Sequence, residues 1–453
     1  METTEKKAGL WSIVLYGTAM NFGIRWLATG AATGPVALPV WLLAAALFLT
    51  PLVIATFDLS AKFPGEGAIY AWTRQTQGPF AGFMCGWIYW ACNLPYFCGL
   101  LIFIDALMVK AVGGPVGAWI GSPTGILVVG ATMTLGVSFL HSLGLGAGKW
   151  IPAIGAVTSA AILAFFIAVA VWLNGHVGSA TDFTHADYLP KFNANGAILW
   201  STMVFAYGGA EGVALLRNQT KGGPATLRVA LILIGVFLAL AYVFGTGAIL
   251  TILPQADASR LGGLPDAIAV ALARIHQAAW AQTLLAGLAV VMLGGFSAWF
   301  GVAARLPFAA GLDSAMLAPL GRTNPKTGAP TVAIWTQALL CIVILSLSQL
   351  GATAAAAYDF VNAMSVLSYT LPYLFLFVAY LKAQGPDAKT SVHFIGWLGF
   401  LVALSAILLS FVPSPDATDS VQSIVKMVVG AVVLLASGAI LYLFSKTPKT
   451  EAA

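Results

Sequence analysis

The sequence predicts an all-α membrane protein of about twelve transmembrane helices, and three observations carry that reading. Hydrophobic residues make up 59% of the 453 positions and charged residues only 8%, where a soluble domain carries roughly 25% charged residues. Mean hydropathy is +0.90, so the bilayer has to act as solvent for most of the chain. Long apolar runs recur from end to end, of the ~20 residues needed to cross a hydrocarbon core. They are continuous rather than alternating, which excludes a membrane barrel. Inside lipid every backbone polar group must be paired within its own segment, so the runs are helices.

In order, the expected spans are 10–34, 37–61, 80–109, 123–142, 150–174, 196–216, 227–253, 279–304, 330–349, 353–381, 393–412 and 423–445. The apolar stretch after the short polar segment 1–9 is too long for a signal-peptide core, so it reads as a retained first span. Residues 65–76 read as a short helix or re-entrant piece between spans two and three. Two connections, 175–195 and 254–278, are long enough to hold structure, and the second contains an amphipathic segment from Pro265 to Ile275.

Charge placement tests the count. With the N-terminus in the cytoplasm, 15 of the 21 Lys and Arg residues fall on the cytoplasmic side and 5 outside, leaving Arg25 within the membrane. That asymmetry favours an even number of spans and cytoplasmic termini. The organisation expected is a cytoplasmic tail 1–9, a first five-span repeat 10–174, a second inverted repeat 196–381, two further spans in 393–445 and a tail 446–453. The short loops predict a multi-pass protein of a cell (inner) membrane, with the lipid bilayer as its partner.

Composition also excludes functions. No Lys/Arg run is dense enough for nucleic acid. Cys85, Cys92, Cys98 and Cys341 lie in apolar stretches with no metal-ligand spacing, and the five histidines are scattered, so neither a metal nor another cofactor is expected. Gly144 to Lys149 has the outline of a phosphate loop, but Trp150 stands at the Ser/Thr position and no strand precedes it. No nucleotide-binding domain for a pump is visible, and no Ser/His pair or metal set for a membrane enzyme.

Chemistry concentrates at two interrupted spans. Span one contains Gly17-Thr18-Ala19-Met20-Asn21-Phe22-Gly23-Ile24-Arg25, and span six Phe205-Ala206-Tyr207-Gly208-Gly209-Ala210-Glu211-Gly212. Each puts glycines and one formal charge into an apolar helix, and glycine lets the backbone unwind. Unwinding frees N–H groups on one side and carbonyls on the other. An N-terminal half-helix end attracts a carboxylate, and carbonyls at the other break attract an ammonium. Matching breaks in spans one and six are the signature of an inverted repeat around a midplane site. Packing glycine is the plainer reading of either break alone.

Four stretches together resemble the amino acid–polyamine–organocation superfamily. They are the break at 17–23; Lys62 to Trp72 with Gly78-Pro79-Phe80 and Gly82-Phe83; Phe205 to Glu211; and Arg305 to Asp313 with Thr327 to Pro330. The resemblance implies a leucine-transporter-type fold with a 5+5 inverted repeat and discontinuous helices 1 and 6. It implies a secondary transporter of amino acids working by alternating access, with a small-molecule substrate and a coupling ion, proton or sodium. A polyamine or organic-amine transporter is the alternative, and a transporter-like sensor an alternative of another class. By the same resemblance Ala19, Met20, Asn21, Phe22 and Gly23 hold the carboxylate. Phe205, Ala206, Tyr207 and Gly208 hold the amine, with Tyr207 or Phe205 as gate, and Glu211 is the family's acidic residue after the helix-six break.

The sequence departs from the family pattern in three places. Val157 to Ala161 has no helix-five lysine, Asn218-Gln219 replaces an acidic pair, and Asn21 stands where the break usually has glycine. Arg25 is the unexpected charge, since an intramembrane charge costs several kcal/mol unless paired. The expectation is that it faces the cavity, pairs with Glu211 when the site is empty and helps hold an anionic group when loaded. A local structural role is the alternative. Asp105 and Asp359 are further candidates for proton carriage, gating or pairing with a substrate amine; the alternative for each is a place near a span end in water or capping a packing contact. Asn93 to Phe97 puts polar residues and a proline inside span three, to line the pocket or to kink the helix.

Overall fold

The computed structural model describes residues 9–63, 68–144, 150–214, 221–304, 320, 322–415, 417 and 419–444, with the side chains of 19, 150–156 and 444 outside that set. The helices are α1 Leu10–Asn21, α2 Trp26–Thr33, α3 Ala37–Ala44, α4 Thr50–Lys62, α5 Ala68–Gln77, α6 Pro79–Ala91 and α7 Asn93–Val112. They continue as α8 Gly114–Ile120, α9 Pro123–Ser142, α10 Trp150–His176, α11 Ala194–Ala206, α12 Ala210–Ala214, α13 Gly223–Ile252, α14 Gly263–Arg274 and α15 Ala281–Ala303. The last four are α16 Thr331–Gln349, α17 Ala354–Gln384, α18 Thr390–Leu409 and α19 Ser420–Phe444.

Among the described residues, 10 helical stretches are long and apolar enough to cross a membrane. They match the expected spans other than the first and sixth. Those two are the broken ones: α1 and α2 are separated by residues 22–25, and α11 and α12 by 207–209. These ten and the two spans broken at residues 22–25 and 207–209 give the twelve-span architecture.

Local chemistry accounts for the other irregularities. Span three divides at Cys92 into α6 and α7. Pro95 has no N–H to donate to the Ala91 carbonyl four residues back, so the ladder opens there. Span two joins α3 to α4 through a π turn at Ala45–Leu49, which directs Phe48 onto Tyr373 with ring centroids 5.4 Å apart. The short helix expected near 65–76 is α5, although Pro64 to Gly67 lie outside the described residues, and the amphipathic segment after 254 is α14. In 175–195 the Asp182 carboxylate accepts from the Thr184 hydroxyl at 2.6 Å, the Thr184 amide at 2.9 Å and His185 Nδ1 at 2.8 Å. These bonds hold its carboxyl well below the usual carboxylate range, at about 2.

The core sits around α7 and α17. Almost every residue of α7 from Asn93 to Asp105 is buried, and α17 buries residues along its whole length. α7 packs on α15, α16 and α17, while α17 packs on α18 and α6. α19 shows large apolar side chains such as Val425, Val432 and Leu443 outward, as a peripheral helix facing lipid does.

Candidate functional site: a cavity between two broken helices

The break after α1 begins at Asn21. Its side-chain Nδ2 donates to the Gly17 carbonyl one turn back at 2.7 Å. Phe22 is extended, and the chain resumes through the bonds Trp26 N–H to Gly23 O at 3.0 Å and Leu27 N–H to Ile24 O at 3.2 Å. The amides of Ile24 and Arg25 have no hydrogen-bond acceptor among the described residues. This is the set of free donors at a half-helix N-terminus that an anion needs.

The break after α11 turns at Gly208 and Gly209. Gly209 has φ +113°, and a Cβ there would sit 1.7 Å from Asn21 Oδ1. Only glycine lets the two breaks come this close. Tyr242 on α13 ties them together. Its hydroxyl accepts from the Gly23 N–H at 3.2 Å and lies 3.3 Å from the Asn21 carbonyl and 3.2 Å from the Ala206 carbonyl.

A cavity of about 230 Å³ opens against both breaks. Met20, Asn21, Phe22, Gly23 and Arg25 line it from the first, and Phe205, Ala206 and Gly208 from the second. Tyr96 on α7, Trp299 on α15 and Tyr369 on α17 complete much of the wall. Phe205 packs edge-on against Trp26 and Tyr369, each at 5.3 Å between centroids, which places it as an aromatic wall. Asn93 is on the wall as well, and its Oδ1 accepts from Trp299 Nε1 at 2.8 Å.

Two expectations need correction. Tyr207 does not reach the cavity. It is fully buried, its hydroxyl donates to the Trp41 carbonyl at 3.1 Å, and its ring packs on Trp41 and Tyr242. Turning at Gly208 aims the preceding side chain into the protein instead. Arg25 does not pair with Glu211 either. The Arg25 guanidinium donates from Nη1 to Asn362 Oδ1 at 3.2 Å and lies over the rings of Trp26, Tyr96 and Tyr358.

Glu211 is fully buried in a tyrosine cage. Its Oε1 accepts from Tyr89 at 3.2 Å, Tyr369 at 3.0 Å and Tyr373 at 3.1 Å. The three hydroxyls satisfy a carboxylate that desolvation would otherwise disfavour. Tyr369 lines the cavity while Glu211 does not, so the carboxylate stands one phenol behind the wall. Tyr369 and Tyr373 are one helical turn apart and therefore share a face. That pairing was readable as a four-residue spacing across Pro372, and sequence reasoning missed it.

Asp105 and Asp359 lie elsewhere. Asp105 is buried on α7, nine residues beyond Tyr96, about 14 Å along the helix. Asp359 forms an ion pair with Arg260 at 2.8 Å, away from the cavity. Ala19 belongs to α1, with its side chain outside the described residues. The Arg305 to Asp313 motif, Asn218-Gln219 and 145–149 of the loop-like motif also fall outside them.

The amino acid permease family model matches residues 9–434. The chain belongs to the amino acid permease family. This permease is 24% identical to an uncharacterised transporter of Legionella pneumophila, over 91% of each chain. It is 23% identical to a probable agmatine/putrescine antiporter of Lactococcus lactis, over 97% of this chain and 95% of that one. It is 24% identical to an inner membrane transporter of Salmonella typhimurium, over 90% and 89%. In fold it is similar to the crystal structure of MhsT in complex with L-phenylalanine, with a TM-score of 0.61, 14% identity, and coverage of 89% of this chain and 98% of that one. Family and architecture make this permease a multi-pass membrane transporter of small molecules, not an enzyme.

Proposed function

We propose that this permease carries amino acids across the membrane by alternating access around the cavity between the two breaks. One observation carries the reading: the same cavity meets free amides at Ile24 and Arg25 and the turn that ends α11. The amides suit an α-carboxylate, and the carbonyls that end α11 suit an α-ammonium. Helices 10–174 and 196–381 act as the two inverted repeats, and both termini face the cytoplasm.

In this reading Glu211 couples transport to a proton. Its carboxylate is the buried acid next to the cavity, and Tyr369 touches both. No lysine stands at 157–161 to take that part.

A polyamine reading has the name of the Lactococcus lactis relative in its favour. The cavity wall argues against it. Arg25 is the one charged residue among its described lining residues, and a fixed cation repels a polycation.

Thermal stabilisation of the purified permease tests the choice, because a ligand that binds only the folded state raises apparent stability. L-amino acids should stabilise it, and their decarboxylated amines should not. Stabilisation by polyamines alone would overturn the proposal.

A further inference from the structure

Arg25 has more hydrogen-bonding capacity than its surroundings use. It is only 3% exposed, and its guanidinium carries five N–H donors in a fixed plane. One bond is made among the described residues, from Nη1 to Asn362 Oδ1. Nη2 is buried with no partner. Buried polar groups of this kind are rare and call for an explanation.

The protein does not neutralise this charge itself. No carboxylate lies within ion-pair distance of Arg25 among the described residues. Glu211 is taken by three tyrosines and Asp359 by Arg260. The rings of Trp26 and Tyr96, 4.0 and 5.0 Å from the guanidinium carbon, offer their faces to the cation. They position it and supply no counter-charge.

The surroundings are built around it. A Cβ at Gly99 would sit 2.9 Å from both Arg25 Nη1 and Asn362 Oδ1, so α7 leaves room for this pair where another residue would crowd it. Buried charges are paired or hydrogen-bonded, and here the missing partner can arrive with the cargo, since Arg25 lines the cavity.

We propose that Arg25 binds a second anionic group on the substrate, so that the cargo is an acidic amino acid: an α-amino acid with a carboxylate side chain. This rests on the reading of the cavity as an amino acid site. The α-carboxylate takes the amides of the α1 break, and the side-chain carboxylate takes the planar fork of Arg25, which matches carboxylate geometry.

Near-isosteric pairs test it. Binding of L-glutamate and L-glutamine, and of L-aspartate and L-asparagine, is measured on the purified permease in nanodiscs, for wild type, Arg25→Gln and Arg25→Lys. Wild type should prefer the acid of each pair by at least about tenfold. Arg25→Gln should abolish that preference. Arg25→Lys, which keeps the charge and loses the fork, should fall between them.

Equal wild-type affinity for acid and amide overturns the proposal and leaves the amino acid reading intact. So does an Arg25→Gln loss that is the same for both, because Arg25 would then serve the α-carboxylate or the fold. If no amino acid of either kind binds to wild type, the amino acid reading itself fails, and this inference with it. Wild-type selectivity is read without any variant, so misfolding of Arg25→Gln does not shield the proposal.

Discussion

Tyr373 holds Glu211 against the second helix break. Its hydroxyl lies 3.1 Å from each carboxylate oxygen of Glu211 and accepts the Gly209 N–H at 2.8 Å. A single phenol thus connects the buried carboxylate to the turn that ends α11. Any change in the charge of Glu211 alters what Tyr373 donates, and through it the bond that positions Gly209.

Tyr373→Phe tests that link at the smallest structural cost. It keeps the ring packing on Phe48 and removes both hydrogen bonds. The Gly209 amide and one side of Glu211 are then left short of partners, which costs about 1–3 kcal/mol. We expect a lower Tm and a larger fractional loss of transport than of ligand binding. Unchanged transport would mean that the bond is structural only.

Glu211→Gln tests coupling. The amide is nearly isosteric, can still accept from the tyrosine hydroxyls and carries no titrating charge. Uptake driven by a pH gradient into proteoliposomes should be lost, while substrate-for-substrate exchange and binding persist. If gradient-driven uptake survives, the coupling group is elsewhere.

Gly209→Ala tests the close approach of the two breaks. The backbone φ of +113° is unfavourable for alanine, and its Cβ would overlap the Asn21 side chain. A strained backbone of this kind costs about 1–3 kcal/mol, before any displacement of Asn21. Transport should be abolished. Asn21→Gly in the same chain should restore part of it, by removing the overlap while leaving the backbone strain. No rescue at all would place the defect in backbone strain alone.

The twelve spans were legible because lipid imposes a length and a composition on each of them. The breaks were legible because glycine beside a formal charge is conspicuous in an apolar run. Side-chain direction was not. Tyr207 sits within the second break motif, yet the turn at Gly208 sends it into the core against Trp41. Arg25 and Glu211 read as complementary charges near one midplane. The tyrosines that claim Glu211 come from α6 and α17, over a hundred positions away from it in sequence. Opposite charge alone does not decide pairing when hydroxyl partners from distant helices can reach one of the two first.

Asp359 provides the last test, because its geometry favours holding over carrying. Arg260 Nε donates to both of its carboxylate oxygens at 2.9 and 3.0 Å, and Nη2 donates at 2.8 Å. The same guanidinium reaches Asn195 at the start of α11 and Ser414 after α18. The pair therefore clasps α11, α17 and the two connections beside α14 and α18. Both side chains are largely buried, 11% and 7% exposed, so removing one partner deprives the other of its ion pair at a cost of about 3–5 kcal/mol. Arg260→Ala and Asp359→Ala should each lower Tm markedly. The double variant should lose much less than the sum, because the two single variants remove the same ion pair. Gradient-driven uptake by Asp359→Asn, corrected for the amount of folded protein, should stay proton-coupled. If Asp359→Asn uncouples transport as Glu211→Gln is expected to, then Asp359 carries the proton, and the clasp is one station of the transport cycle rather than a fixed strut.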